Sequence, residues 1–162
     1  MTAPRPARTL PIVAPRDDQD ADGVPPEPRR AHPETDLRDE DLHDLLVDFY
    51  DRVAADELLA PYFAVVDMRA HMPRIVDFWS TLLFHTGRYS GNAFRPHLEM
   101  PGLTAAHFAH WLAVLESTVD DRVAGPAAEY MKALAHRIAY SMQLRLGITP
   151  FEEYRALPDP ER

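Results

Sequence analysis

The stretch Phe94-Arg95-Pro96-His97-Leu98-Glu99-Met100-Pro101-Gly102-Leu103 sets one histidine between two prolines. An aromatic apolar segment lies on either side: Phe78-Trp79 before it, His107-Phe108 and Trp111-Leu112 after it. Two prolines and a glycine this close together allow no more than a short helix around His97. The flanking segments repeat apolar residues at helical spacing, so the arrangement presents a single imidazole to whatever a helical core holds.

Working outward, the spacing predicts a helix from about Met68 to Phe84, with Met72, Ile75, Val76, Trp79 and Leu83 on its core stripe. Pro73 is expected in its first turns, where a missing N–H costs least. His71 shares a row with Ile75, Phe78 and Leu82 at the edge of that stripe, facing a cavity beside the core. Thr86-Gly87-Arg88-Tyr89-Ser90-Gly91-Asn92 reads as a connection from its glycines and small polar residues. On the far side, Thr104 is predicted to cap a helix to about Arg122, packing Phe108, Trp111, Leu112, Leu115 and Val119. Gly125-Pro126 ends it and starts a last helix carrying Met131, Leu134, Ala135, Ile138, Met142 and Leu146, with Gly147 as its stop.

Further upstream, Asp36 or Asp39 is expected to open the first helix by accepting its free N–H groups. Leu42, Leu46, Phe49, Tyr50 and Val53 make one apolar face of it. A buried phenol needs a partner, so Tyr50 aims its hydroxyl at a backbone carbonyl or at a ligand. Leu58-Leu59-Ala60-Pro61-Tyr62-Phe63 is a single turn or corner with Phe63 driven inward. No alternating strand pattern occurs, so the expectation is an all-α domain of four main helices over 36–148. Residues 1–35 hold eight of the sixteen prolines and few large apolar residues, and are expected to form a disordered tail. Residues 149–162, with Pro150, Pro158 and Pro160, are expected to be a short second tail.

Composition narrows the function. With 162 residues and 46% hydrophobic content the chain can build one real core. A net charge of -9 argues against nucleic acid or an anionic membrane as partner, because phosphates would repel it. The absence of cysteine removes disulfides, thiolate zinc sites and cysteine nucleophiles. No window has the roughly 18 apolar residues of a membrane helix, nor the first residues the apolar run of a secretory signal, so a cytoplasmic location is expected. The one lysine, Lys132, lacks the glycines of a phosphate-binding loop. Glu40-Asp41-Leu42-His43 is the only Glu-x-x-His pair, which leaves a di-iron centre without most of its ligands. His-Glu-x-x-His and Gly-x-Ser-x-Gly are both missing. His107 and His110 could share a helix face, but two imidazoles alone make a poor metal site, and both read as surface residues.

Four residues remain, each on or beside an apolar face and each with a polar tip: Tyr50, His71, His97 and Trp111. Haem iron needs one strong neutral nitrogen ligand on one side and donors for a bound diatomic on the other, and these four can divide in that way.

At this point the sequence resembles a family. From about Leu42 to Leu146 it is similar to the truncated haemoglobins, specifically the group III branch. The resemblance is carried by Phe49-Tyr50 with Arg52-Val53, Leu59-Ala60-Pro61-Tyr62-Phe63, His71 followed by Phe78-Trp79-Ser80, and Tyr89-Ser90-Gly91. It continues through His97-Leu98-Glu99-Met100-Pro101, His107-Phe108 with Trp111-Leu112, and Arg137-Ile138-Ala139 with Ser141. It implies a two-over-two helical sandwich around haem b, with His97 as the proximal iron ligand. Tyr50, His71 and Trp111 then match the distal residues around a bound ligand, and Phe63 the phenylalanine that packs on the porphyrin. Arg74 and Arg95 are candidates for pairing with the haem propionates. Two features depart from the pattern: the segment from Phe63 to His71 is short, and Met68 stands where tryptophan is usual. These leave open whether His71 gates the pocket or ligates iron itself. The implied function is binding of dioxygen, nitric oxide or peroxide for redox detoxification, by a nitric oxide dioxygenase or peroxidase-like activity served by an unidentified reductase. The alternative is a haem-based gas sensor or store acting through a protein partner.

Overall fold

The computed structural model describes residues 35–149. The expected tail at 1–35, apart from its last residue, and the expected tail at 149–162, apart from its first residue, lie outside them. A 3-10 turn at Asp39–Asp41 leads into α1 (Leu42–Ala55), followed by the single turn α2 (Ala60–Phe63) and α3 (Met68–Phe84). The short α4 (Arg95–Leu98) precedes the long α5 (Ala105–Arg122) and α6 (Pro126–Arg145). Among the described residues there is no strand, and no helix is long and apolar enough to cross a membrane.

α1 packs on α3, α5 packs on α6, and the two pairs meet through α1 against α5 and α3 against α6. Two helices thus lie over two. The order of charged pairs makes α5 and α6 antiparallel: Lys132 bonds Asp120 at 2.7 Å, and His136, one turn on, bonds Glu116 at 2.5 Å, one turn back. α1 is the most enclosed element. Leu42, Leu45, Leu46, Phe49 and Val53 recur at helical spacing and are each at most 1% exposed, so the other helices are arranged around this stripe. Met72, Ile75, Trp79 and Leu83 of α3, Leu115 and Val119 of α5, and Met131 and Ala135 of α6 complete the core.

Helix ends show local causes. Asp67 caps α3, its carboxylate accepting the Ala70 N–H at 3.2 Å. His85 closes the same helix in the left-handed region, at φ 56. α6 ends as expected at Gly147: its N–H donates to the Leu144 carbonyl, and the Ile148 N–H reaches back to Gln143 at 2.8 Å, the paired bonds of a glycine-terminated helix.

Two expectations are corrected. Neither Asp36 nor Asp39 caps α1. The 3-10 turn is opened by Arg38 and Asp41, whose carboxylate accepts the Arg38 N–H at 3.0 Å. Asp36 is used elsewhere: Oδ2 accepts the Ala127 N–H and Oδ1 the Ala128 N–H, both at 3.0 Å, so it caps α6 from the other end of the domain. Pro73 lies inside α3, not in its first turn. It follows four residues after Arg69, whose carbonyl thereby loses an intrahelical donor; Arg69 is exposed, so water can replace it.

Candidate functional site

The four long helices and the α2 and α4 corners enclose a cavity of about 430 Å3, within the range of small-molecule sites. Among the described residues no aspartate or glutamate lines it, although the chain carries 26 of them.

On one wall, α4 delivers His97. Asn92 starts that short helix, its Oδ1 accepting the Phe94 and Arg95 N–H groups at 3.0 and 3.2 Å. His97 is half-buried in the cavity wall. Its Nδ1 lies 3.0 Å from the Ala93 carbonyl. A carbonyl only accepts, so Nδ1 carries the proton and Nε2 keeps a free lone pair. Burial pushes the imidazole below its ordinary pKa, against the opposing backbone bonds from Ala93 and Phe94, which favours the neutral, ligating form. Among the described residues there is no cluster of three or more acidic, histidine or cysteine side chains able to hold a bare metal ion. His97 could offer one ligand, so a metal held there would need most of its coordination from other groups.

Aromatic side chains from α1, α2 and α5 line the same cavity. The Phe49 ring lies between Tyr50 and Trp111, edge-on to each at centroid distances of 4.7 and 5.8 Å. Phe63 tilts against Tyr50 at 5.6 Å. Tyr50, Phe63 and Trp111 all line the cavity. Neither the Tyr50 hydroxyl nor the Trp111 indole N–H has a hydrogen-bond partner among the described residues, although polar tips of buried rings ordinarily find one. Of the two destinations open to Tyr50, a backbone carbonyl is not used. Burial raises the phenol's pKa well above its ordinary value, so Tyr50 stays a protonated donor at any physiological pH.

His71, one turn into α3, lines the same cavity but is exposed, which places it at the mouth. Met68, one turn earlier, is half-buried on the same wall. Arg74 also lines the cavity, its guanidinium 5.3 Å from the Tyr89 ring centre. Arg95 is exposed and is not among the lining residues, because its position in the single turn of α4 differs from that of His97 by two residues, nearly opposite on a helix. Of the two arginines, only Arg74 is brought to the site.

His107 is the residue that sequence reasoning misplaced. His110 is exposed and pairs with Asp56 at 2.9 Å. His107 is half-buried and lines the cavity. Its Nδ1 accepts the Thr104 N–H at 3.0 Å and lies 2.9 Å from the Thr104 hydroxyl, which leaves the proton on Nε2. Tyr62 packs on it at 5.1 Å and donates to the Pro101 carbonyl at 2.8 Å. A histidine three residues after a threonine at a helix start is a capping pattern, and that was the available signal.

No family model matches the chain. A group 3 truncated haemoglobin of Campylobacter jejuni is 27% identical over 90 residues, spanning 52% of this chain and 71% of that protein. The crystal structure of a group III truncated haemoglobin from the same organism superposes with a TM-score of 0.64 at 23% identity, over 78% of this chain and 100% of that one. The chain is thus similar in sequence to a group 3 truncated haemoglobin, and its two-over-two fold is that of a truncated haemoglobin.

Proposed function

We propose that the chain is a haem protein that binds a diatomic gas in this cavity and uses it in redox chemistry. One observation carries the reading: an apolar cavity combines the His97 imidazole, its Nδ1 engaged by the Ala93 carbonyl and its Nε2 free, with two ring donors, Tyr50 and Trp111, that have no partner among the described residues. The residues present fit haem b. His97 would hold the iron, Phe63 would pack on the macrocycle and Arg74 would pair with a propionate. When bound, the haem supplies an iron that takes dioxygen, nitric oxide or peroxide.

The chain's own contributions follow from its geometry. Ala93 orients the His97 ring by accepting from Nδ1. Tyr50 and Trp111 donate hydrogen bonds to a polarised ligand in a site screened from water, where such bonds are strongest. His71, at the mouth, controls entry. Tight retention of this kind suits a catalyst better than a carrier. The neutral carbonyl behind His97 makes the imidazole a weaker electron donor than a carboxylate would. That supports oxidation of nitric oxide to nitrate, consuming dioxygen and one electron, over peroxide cleavage. An electron-supplying reductase is then the required partner, and a cytoplasmic location goes with it.

An absorption spectrum of the purified, haem-reconstituted protein in ferric, ferrous and gas-bound forms tests the reading. A Soret band that responds to each state is expected. Its absence after reconstitution would rule haem out.

A further inference from the structure

The corner between α1 and α3 is fixed at both ends and lightly held between them. At one end Asp56 accepts the Leu58 and Leu59 N–H groups through Oδ1, and its Oδ2 meets Nδ1 of His110 on α5 at 2.9 Å. Leu59, 4% exposed, is set in the core. At the other end Asp67 caps α3. From Ala60 to Val66 no residue is buried. The backbone N–H groups of Ala60, Tyr62, Ala64 and Val66 bond to carbonyls between Asp56 and Phe63, within the corner itself. Val65 is 88% exposed, so among the described residues nothing covers this side chain from outside.

One side chain ties this stretch to a distant part of the chain. The Tyr62 hydroxyl donates to the Pro101 carbonyl at 2.8 Å, and its ring lies edge-on to His107 at 5.1 Å. Pro101 belongs to the loop after α4, whose Met100 and Leu103 line the cavity; Tyr62, Phe63 and Val66 line it from the corner. The bond therefore joins two parts of the cavity wall that no helix connects. The loop comes close to the phenol: Gly102 turns there at φ 79, and the nearest atom to an added Cβ would be the Tyr62 hydroxyl, at 3.5 Å. A phenylalanine would fill the same wall, so the hydroxyl adds only this tie. One hydrogen bond between partly exposed groups changes an equilibrium by about two- to tenfold, enough to favour a closed segment and weak enough to release it.

We propose that residues 60–66 form a strap over the cavity, hinged near Asp56 and Asp67, and that the Tyr62–Pro101 hydrogen bond is the latch that opens to admit and release a large flat ligand. With the latch open, Phe63 and Val66 swing out of the wall and the cavity is reached along the corner. A gas molecule passing His71 needs no such opening; a ligand that fills about 430 Å3 does. Strap and latch rest on the geometry alone, whereas haem as the large ligand rests on the function proposed above.

The test compares the full chain with Tyr62→Phe, which keeps the ring against His107 and removes the hydroxyl. Without haem, amide hydrogen exchange is followed residue by residue. The Ala64 and Val66 amides are expected to exchange about two to ten times faster in the variant, with α1 and α6 unchanged, because local opening sets their rates. Haem is then added, and its uptake and its loss to an acceptor apoprotein are timed. Both are expected to speed up over the same range, since a latch lies on the path in each direction. A contact that only stabilised the loaded protein would speed loss and leave uptake unchanged. The proposal is overturned if exchange at Ala64 and Val66 is the same in both proteins, or if the variant takes up haem no faster. Should no Soret band form, the haem reading falls and the exchange measurement decides the strap on its own.

Discussion

Asp36 offers the sharpest test of how the domain is closed. It stands just before the 3-10 turn, yet its carboxylate accepts from Ala127 and Ala128 at 3.0 Å each and from Leu37 at 2.8 Å. Pro126 is the first residue of α6 and has no N–H, so Ala127 and Ala128 offer the first free donors of that helix end. Its own N-cap, Gly125, has no side chain to supply the cap. Gly125 in turn sits at φ 146, and a Cβ there would lie 2.5 Å from Asp36 Cγ, so the glycine makes room for the distant carboxylate. Loss of an N-cap costs about 0.5 to 2 kcal/mol, and bonds to a charged acceptor are at the upper end. Asp36→Ala should therefore destabilise the domain by about 2 kcal/mol, a fall in Tm of very roughly 8 °C for a domain of this size. Gly125→Ala should do at least as much, by strain and by displacing the same carboxylate, and the double variant should cost less than the sum. The pH dependence has a definite sign. Burial works against the charge, but the three backbone donors together hold the Asp36 carboxyl below the usual carboxylate value. Its contribution is present above the unfolded pKa and is lost as pH falls through the folded one. Urea melts of wild type and Asp36→Ala at pH 7 and at about pH 3, one unit below the ordinary carboxylate pKa, check this. A deficit under about 0.5 kcal/mol at pH 7, the scatter of an ordinary surface change, would refute the tertiary cap. So would a full deficit persisting in acid.

Other expectations follow from the site and the core. His97→Gly should abolish stable haem retention, with added imidazole restoring a Soret band; a five-coordinate spectrum without imidazole would remove His97 from the ligand position. Tyr50→Phe and Trp111→Phe should each speed dioxygen release about tenfold, the worth of one hydrogen bond to a polarised acceptor, as read by stopped-flow. Unchanged rates in both would mean that no distal cage exists. Gln143 is buried, with Nε2 donating to the Ala139 carbonyl at 3.2 Å and Oε1 without a partner. Gln143→Met, similar in volume, should stabilise by about 1 kcal/mol in denaturant melts because an unsatisfied acceptor is removed; a loss of stability would show that Oε1 is satisfied.

How much of this was legible depends on whether the signal lies in side chains near in sequence. The course of α3 was readable because its apolar stripe runs through Met72, Ile75, Trp79 and Leu83, while its Asp67 cap was not singled out in the sequence. Gly125-Pro126 and Gly147 marked turns by the backbone freedom and restriction they carry. Tyr50, His71, His97 and Trp111 could be placed near the cavity because each lies on or beside an apolar face, and Phe63 because its corner drives it inward, whereas Arg74 was singled out only through the family resemblance. Pairings across the chain were not. Asp36 meets Ala127 and Ala128 across separations of 91 and 92 residues, and nothing local distinguishes it from Asp39 as a cap. His107 was misread for the converse reason. Its neighbours in sequence supplied no metal ligand beyond His110, while the Tyr62 ring that packs on it comes from α2.

The acceptor behind His97 is a different case, since no amount of side-chain pattern would reveal it. Ala93 acts through its carbonyl, four residues before His97 and therefore one helical turn away. Any residue that keeps the backbone there keeps the acceptor, so an alanine scan would pass over it as well. What places the carbonyl is the turn that Asn92 nucleates by accepting from Phe94 and Arg95. The side chain through which the orientation of His97 can be perturbed is thus Asn92. It also lines the cavity, but its carbonyl oxygen is committed to the turn. Asn92→Ala should leave Nε2 available and loosen the ring's orientation, broadening the Soret band without abolishing it. On the proposed haem reading, His97→Gly removes the iron ligand outright, and the contrast between the two spectra separates holding the imidazole from aiming it.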